Sequence, residues 1–112
     1  MDQEKPSNQR IRLPDQVVAA IRKAFLNYFL PNDQLWLFGS RADPSKKGGD
    51  IDLYIETNFT DYSEAFDKKI AFLVALTKEI GDQKIDVVLR LVNSSYSLPI
   101  YQIAKSEGVR LV

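Results

Sequence analysis

Asp50-Ile51-Asp52-Leu53 sets two carboxylates two positions apart in a stretch that alternates apolar and polar residues through Glu56. Side chains at i and i+2 of a β-strand share a face roughly 7 Å apart, near enough for flexible carboxylates to converge on one divalent cation. Asp is depleted in strands, and like charges on one face repel, so the arrangement is unfavourable until a cation relieves it. Asp86, inside Ile85-Asp86-Val87-Val88-Leu89, is a third acid in an apolar strand-like run, and it completes the set if the two strands are neighbours. The chemistry this suggests is metal-dependent phosphoryl transfer. The plain alternative for each acid is an outward-facing residue on a solvated strand face. A helix-loop-helix calcium loop is ruled out, because it needs an acid or amide at Tyr54 and Gly at Ile55.

Gly39-Ser40 closes the apolar run Leu35-Trp36-Leu37-Phe38. Gly-Ser is a common turn dipeptide. At the end of a buried strand, however, a glycine lets the backbone turn sharply and approach a ligand closely, and the following N–H groups and the Ser hydroxyl can donate to phosphate oxygens. Arg41 can fork onto phosphate or pair with a nearby acid. Lys46 and Lys47 read either as a reach toward a triphosphate or as a solvated pair in a Gly-containing loop. No Walker phosphate loop occurs in the chain.

These residues need elements to position them. Val17, Val18, Ile21, Phe25 and Phe29 recur at helical spacing from Pro14 or Asp15 until Pro31-Asn32-Asp33, which predicts an amphipathic helix. Leu35 to Phe38 reads as a central strand covered on both faces, and Ala42 to Gly49 as a loop. In Asp50 to Glu56, Ile51, Leu53 and Ile55 face one way, while Asp50, Asp52, Tyr54 and Glu56 face the other. Asp61 with Glu64 resembles a capping box before a second helix, whose Phe66, Ile70, Leu73, Val74, Thr77 and Ile80 stripe ends at Gly81. Lys84 to Leu91 is a third strand, Ser97 to Ser106 a third helix, and Val109 to Val112 a last short strand. The expected order α-β-β-α-β-α-β is an α/β or α+β arrangement, a small mixed sheet backed by helices.

Composition narrows the chemistry. The 112 residues fit one domain, here residues 13–112 after a polar leader over residues 1–12. Lys plus Arg and Asp plus Glu are 15 each, so no overall positive field gathers nucleic acid or an anionic membrane. Cys and His are both absent, which removes thiol nucleophiles, imidazole bases, disulfides and Cys/His zinc sites and leaves acid-base and metal work to carboxylates. No apolar run has the length of a membrane span, so a soluble, cytoplasmic protein is expected.

Leu37-Phe38-Gly39-Ser40-Arg41, then Asp50-Ile51-Asp52-Leu53, then Ile85-Asp86-Val87-Val88, in that order and with those apolar flanks, resembles the polymerase-beta-like nucleotidyltransferase superfamily. More closely, the pattern is similar to the minimal nucleotidyltransferases, antitoxin partners of HEPN-domain toxins. The resemblance runs from about Val17 to Val112. It departs after Gly-Ser-Arg, where Ala42-Asp43-Pro44 stands in place of a second basic residue and a glycine.

The resemblance implies that fold and a site in which Asp50, Asp52 and Asp86 hold one or two Mg²⁺. Gly39 and Ser40 would position the triphosphate, with Arg41 as an auxiliary. Asp86 would also take or relay the acceptor's proton. The implied reaction is AMP transfer from ATP to a hydroxyl, specifically a tyrosine of a partner HEPN toxin. A chain of this size has no evident room for a large acceptor, so a partner polypeptide is expected to present it. The competing expectation is a binding module that neutralises or scaffolds its partner with weak or no transferase activity, in a homo- or hetero-oligomer.

Overall fold

The computed structural model describes residues 11–46 and 48–112. Its elements are α1 (Asp15–Tyr28), β1 (Gln34–Phe38), a single 3₁₀ turn (Gly39–Ala42), β2 (Ile51–Thr57), α2 (Tyr62–Ile80), β3 (Ile85–Leu91), α3 (Pro99–Glu107) and β4 (Val109–Arg110). The leader expected over residues 1–12 lies outside the described residues up to residue 10. Ile11 packs against the core, and the Arg12 N–H donates to the Arg41 carbonyl at 2.7 Å.

The four strands form one mixed sheet in the order β3-β2-β1-β4. β1 runs antiparallel to both β2 and β4, whereas β2 and β3 are parallel and joined through α2, the crossover that a parallel pair requires. β1 and β2 are therefore central, and β1 is covered on both faces as its apolar run predicts. The result is the small mixed α/β architecture expected of a polymerase-beta-like nucleotidyltransferase fold.

One face of the sheet carries Leu35, Leu37, Ile51, Leu53 and Ile55, all fully buried against α1 and α2. Phe25 of α1 stacks on Phe29 at 4.9 Å and meets the edge of Phe72 in α2 at 6.3 Å. Each such ring, removed from water, contributes about 1.5–3 kcal/mol. At the α1–β1 corner, buried Asp33 accepts hydrogen bonds from the Leu30 N–H, the Thr57 hydroxyl and the Asn58 N–H, at 2.9, 2.6 and 2.7 Å. One carboxylate in the turn after α1 thus also fixes the far end of β2.

Helix α2 differs from its expected stripe. Its buried residues are Ala65, Phe72 and Leu76, while Phe66, Ile70 and Val74 stay substantially exposed. Apolar residues lie on two adjoining sides of this helix, and only the side containing Phe72 can meet Phe25. Asp61 does cap the helix, but its carboxylate accepts from the Ser63 N–H, one residue short of the capping-box geometry.

The second face of the sheet is covered by α3, whose Tyr101 and Ala104 pack on Trp36 and Tyr54. Tyr54 and Glu56, which the alternating pattern would leave on a solvated face, are consequently buried. The Tyr54 hydroxyl donates to Glu56 Oε2 at 2.6 Å, and Lys105 and Arg90 bring cations to that same oxygen at 3.3 and 3.7 Å. Burial, and then the bond to Glu56, push the Tyr54 phenol far above its ordinary pKa, so it stays a neutral donor. Tyr54→Phe should cost about 1 kcal/mol, since Glu56 keeps both cations, and a shift of the urea midpoint at unchanged slope measures it.

Candidate active site

β2 begins one residue after Asp50, so Asp50 sits at the mouth of the strand and Asp52 is its second residue. In the parallel β2–β3 pairing, Asp52 lies directly opposite Asp86, and Ile51 opposite Ile85. This register brings the two aspartates side by side on the face that α3 covers farther along. Asp52 is half-buried and Asp86 exposed, which leaves this end of the face open.

The carboxylates feel one another. Asp52 has its pKa raised above 3.8, first by burial, then by the negative charges of Asp86 and Asp50, with Lys84 opposing. Asp50 is paired with Lys84 at 3.6 Å, both side chains well exposed, a contact worth little in water. Lys84 was not singled out from the sequence. Its signal was available in the register, because pairing Ile51 with Ile85 sets Asp50 beside Lys84.

The strand β1 ends opposite Asp52, since Phe38 is its partner, and the chain then turns at Gly39 with φ +75°. A Cβ at Gly39 would overlap the Asp52 carboxylate. Glycine is therefore required twice here, for the left-handed backbone and for the approach of the turn to the acid. Ser40 follows in the 3₁₀ turn, and its hydroxyl lies against Gly48, where a Cβ would come within 2.5 Å of Oγ. The loop is thus folded back over the Gly39-Ser40 corner.

Arg41 serves that fold-back. Its Nη1 donates to the Arg12 carbonyl at 2.9 Å and its Nη2 to the Gly49 carbonyl at 3.1 Å, while Arg12 Nη2 donates to the Gly48 carbonyl at 2.9 Å. The Arg41 guanidinium thus rests on backbone carbonyls beside the corner. Asp43 accepts from the Ser45 hydroxyl and N–H at 2.7 and 2.9 Å, and these bonds hold its carboxyl below the usual value. Lys46 is exposed; Lys47 lies outside the described residues.

The arrangement is a glycine corner with hydrogen-bond donors, set against two paired aspartates and a third at the strand mouth. A model of the family described as "Nucleotidyltransferase domain" matches residues 18–111. The chain belongs to this nucleotidyltransferase family. No curated protein sequence matches it. The family's reaction is nucleotidyl transfer, and its members in general use a nucleoside triphosphate and a divalent metal.

The nucleotidyltransferase domain has the right donors for such a metal. Asp50, Asp52 and Asp86 supply only carboxylate oxygens, the ligand type that Mg²⁺ prefers, and a cation among them would offset the repulsion that Asp86 and Asp50 add to burial at Asp52. Among the described residues no three acidic side chains already stand close enough to form a finished cage. Asp50 is held by Lys84 in a weak, exposed pair that a cation at Asp50 would compete with.

Proposed function

We propose that this nucleotidyltransferase domain transfers AMP from ATP, with Mg²⁺, to a tyrosine hydroxyl of a partner HEPN toxin, and that it acts in the cytoplasm as the antitoxin. The observation that supports the transferase chemistry is the register that pairs Asp52 with Asp86 beneath the Gly39 corner. The acceptor and the antitoxin role follow from the resemblance in the order and spacing of these same motifs.

Asp50, Asp52 and Asp86 would hold one or two Mg²⁺, which when bound neutralise charge on the triphosphate and the departing pyrophosphate. The Gly39-Ser40 turn offers backbone N–H groups and a hydroxyl to the β- and γ-phosphates. The tyrosine oxygen attacks the α-phosphorus in line; the bond to the bridging oxygen breaks, and pyrophosphate leaves. The phenolic proton passes to the Asp86 carboxylate, since the chain contains no histidine to take it. Arg41 acts by bracing the loop from Asp43 to Gly49 over the corner.

Incubating the domain with ATP, Mg²⁺ and the HEPN protein should add the mass of AMP to the partner, and Asp86→Asn should slow that addition by about 10²- to 10⁴-fold. If the complex forms and no mass is gained, transfer is refuted, and steric neutralisation of the partner takes its place.

A further inference from the structure

Far from the glycine corner, where β3 ends and α3 begins, a cavity of about 340 Å³ opens between Tyr62, Arg90, Leu91, Tyr96, Leu98 and Tyr101. Its size is at the lower end for small-ligand sites, enough for one ring and one substituent. Arg90 lies four residues beyond Asp86 on β3, roughly 13 Å along the strand, so this pocket is separate from the aspartates.

The lining is unusual in two respects. First, Tyr62 and Tyr96 are 60% and 63% exposed, large rings at a cavity mouth, with Tyr62 tilted against Phe66 at 6.2 Å. Tyr101 is buried, and its ring lines the same cavity as the other two. Second, the positive charge is in surplus. Among the described residues Glu56 is the one carboxylate paired with Arg90 and Lys105, and the oxygen that meets both also accepts from the Tyr54 hydroxyl. Arg90 stacks over the Tyr101 ring at 5.0 Å, and among the described residues its buried Nε–H has no acceptor. A buried donor left unpaired is costly, and an anion brought to this guanidinium would relieve it.

We infer that this cavity binds a planar ring carrying one anionic group, the ring lodged among the tyrosines and leucines and the anion on Arg90. A mononucleotide and an aromatic residue bearing a phosphate or carboxylate share this chemistry, and the choice of probe separates them.

The test is a titration of the full chain, without Mg²⁺ or ATP, followed by amide NMR shifts. The probes are phenyl phosphate, N-acetylphenylalanine and AMP; benzyl alcohol and inorganic phosphate supply the ring and the anion alone. At least one ring-bearing anion should bind with a dissociation constant of about 1 mM or tighter and shift Leu91, Ser94 and Tyr96. Tyr96→Ala, an exposed position that leaves the core intact, should weaken that binding about tenfold, and Arg90→Lys should weaken it while still pairing with Glu56. AMP alone binding identifies a nucleotide site, and the two smaller probes binding without AMP identifies a side-chain site. The inference is overturned if no ring-bearing anion shifts these residues, if benzyl alcohol or phosphate alone binds as well, or if the shifts map to Gly39 and Ser40. Neither metal nor triphosphate enters the measurement, so its outcome is independent of the transferase reading.

Discussion

Asp52→Asn should stabilise the metal-free protein and abolish nucleotidyl transfer. The rate should fall on the order of 10³-fold, equivalent to about 4 kcal/mol of transition-state stabilisation, because the central carboxylate of the trio is lost. Stability should move the other way. Asp52 faces Asp86 across the strands, and removing one of two like charges at such a pair returns about 0.5–1 kcal/mol, or a melting temperature higher by about 2–4 °C. The pH dependence follows from the raised pKa. The folded protein binds the Asp52 proton more tightly than the unfolded chain does, so stability falls as pH rises from 3.8 toward the raised folded value and stays lower above it. The gain from Asp52→Asn should therefore be complete near neutral pH and disappear below 3.8. Thermal melts of both proteins across this range check the sign. Equal stability at all pH values would mean that the aspartates do not interact.

Gly39→Ala should damage the site from the other side. At φ +75° an alanine is strained by about 1–3 kcal/mol, and its Cβ would occupy the space of the Asp52 carboxylate. We expect a melting temperature lower by about 4–12 °C and transfer reduced by at least about 10²-fold, since a small displacement of a catalytic group is costly. A second variant separates the two effects. Gly81 also has a positive φ, +87°, but nothing lies within 4 Å of its Cβ position. Gly81→Ala should thus show the backbone penalty with transfer per folded molecule unchanged. If Gly39→Ala behaves the same way, the turn does not press on the acid.

The sheet and the acids were legible because strand alternation and apolar flanks are local signals. Ile51, Leu53 and Ile55 declare one face, and Asp52 is on the other whatever covers it. What α3 would cover was not legible. Tyr54 and Glu56 continue the polar alternation, and nothing in their letters distinguishes a solvated face from one whose polar groups are satisfied by Arg90 and Lys105, 34 and 49 positions from Glu56. The same limit applies to α2, where two apolar sides compete and only the position of Phe25 decides that Phe72 turns inward. Arg41 shows a third kind of limit. A guanidinium after Gly-Ser reads as a partner for phosphate or an acid, and its hold on the carbonyls of Arg12 and Gly49 is set by how the loop folds back, which no sequence pattern announces.

Thermal unfolding in the presence and absence of Mg²⁺ and ATP is the most direct measurement of the claim that the three aspartates and the glycine corner form one nucleotide site. Binding to the folded state alone raises stability by about 2.7 kcal/mol at a hundredfold excess over the dissociation constant. The wild-type protein should melt at a higher temperature with Mg²⁺ and ATP together than with either alone, and Asp52→Asn should show no such gain. No gain in the wild type, or an equal gain in Asp52→Asn, would contradict it.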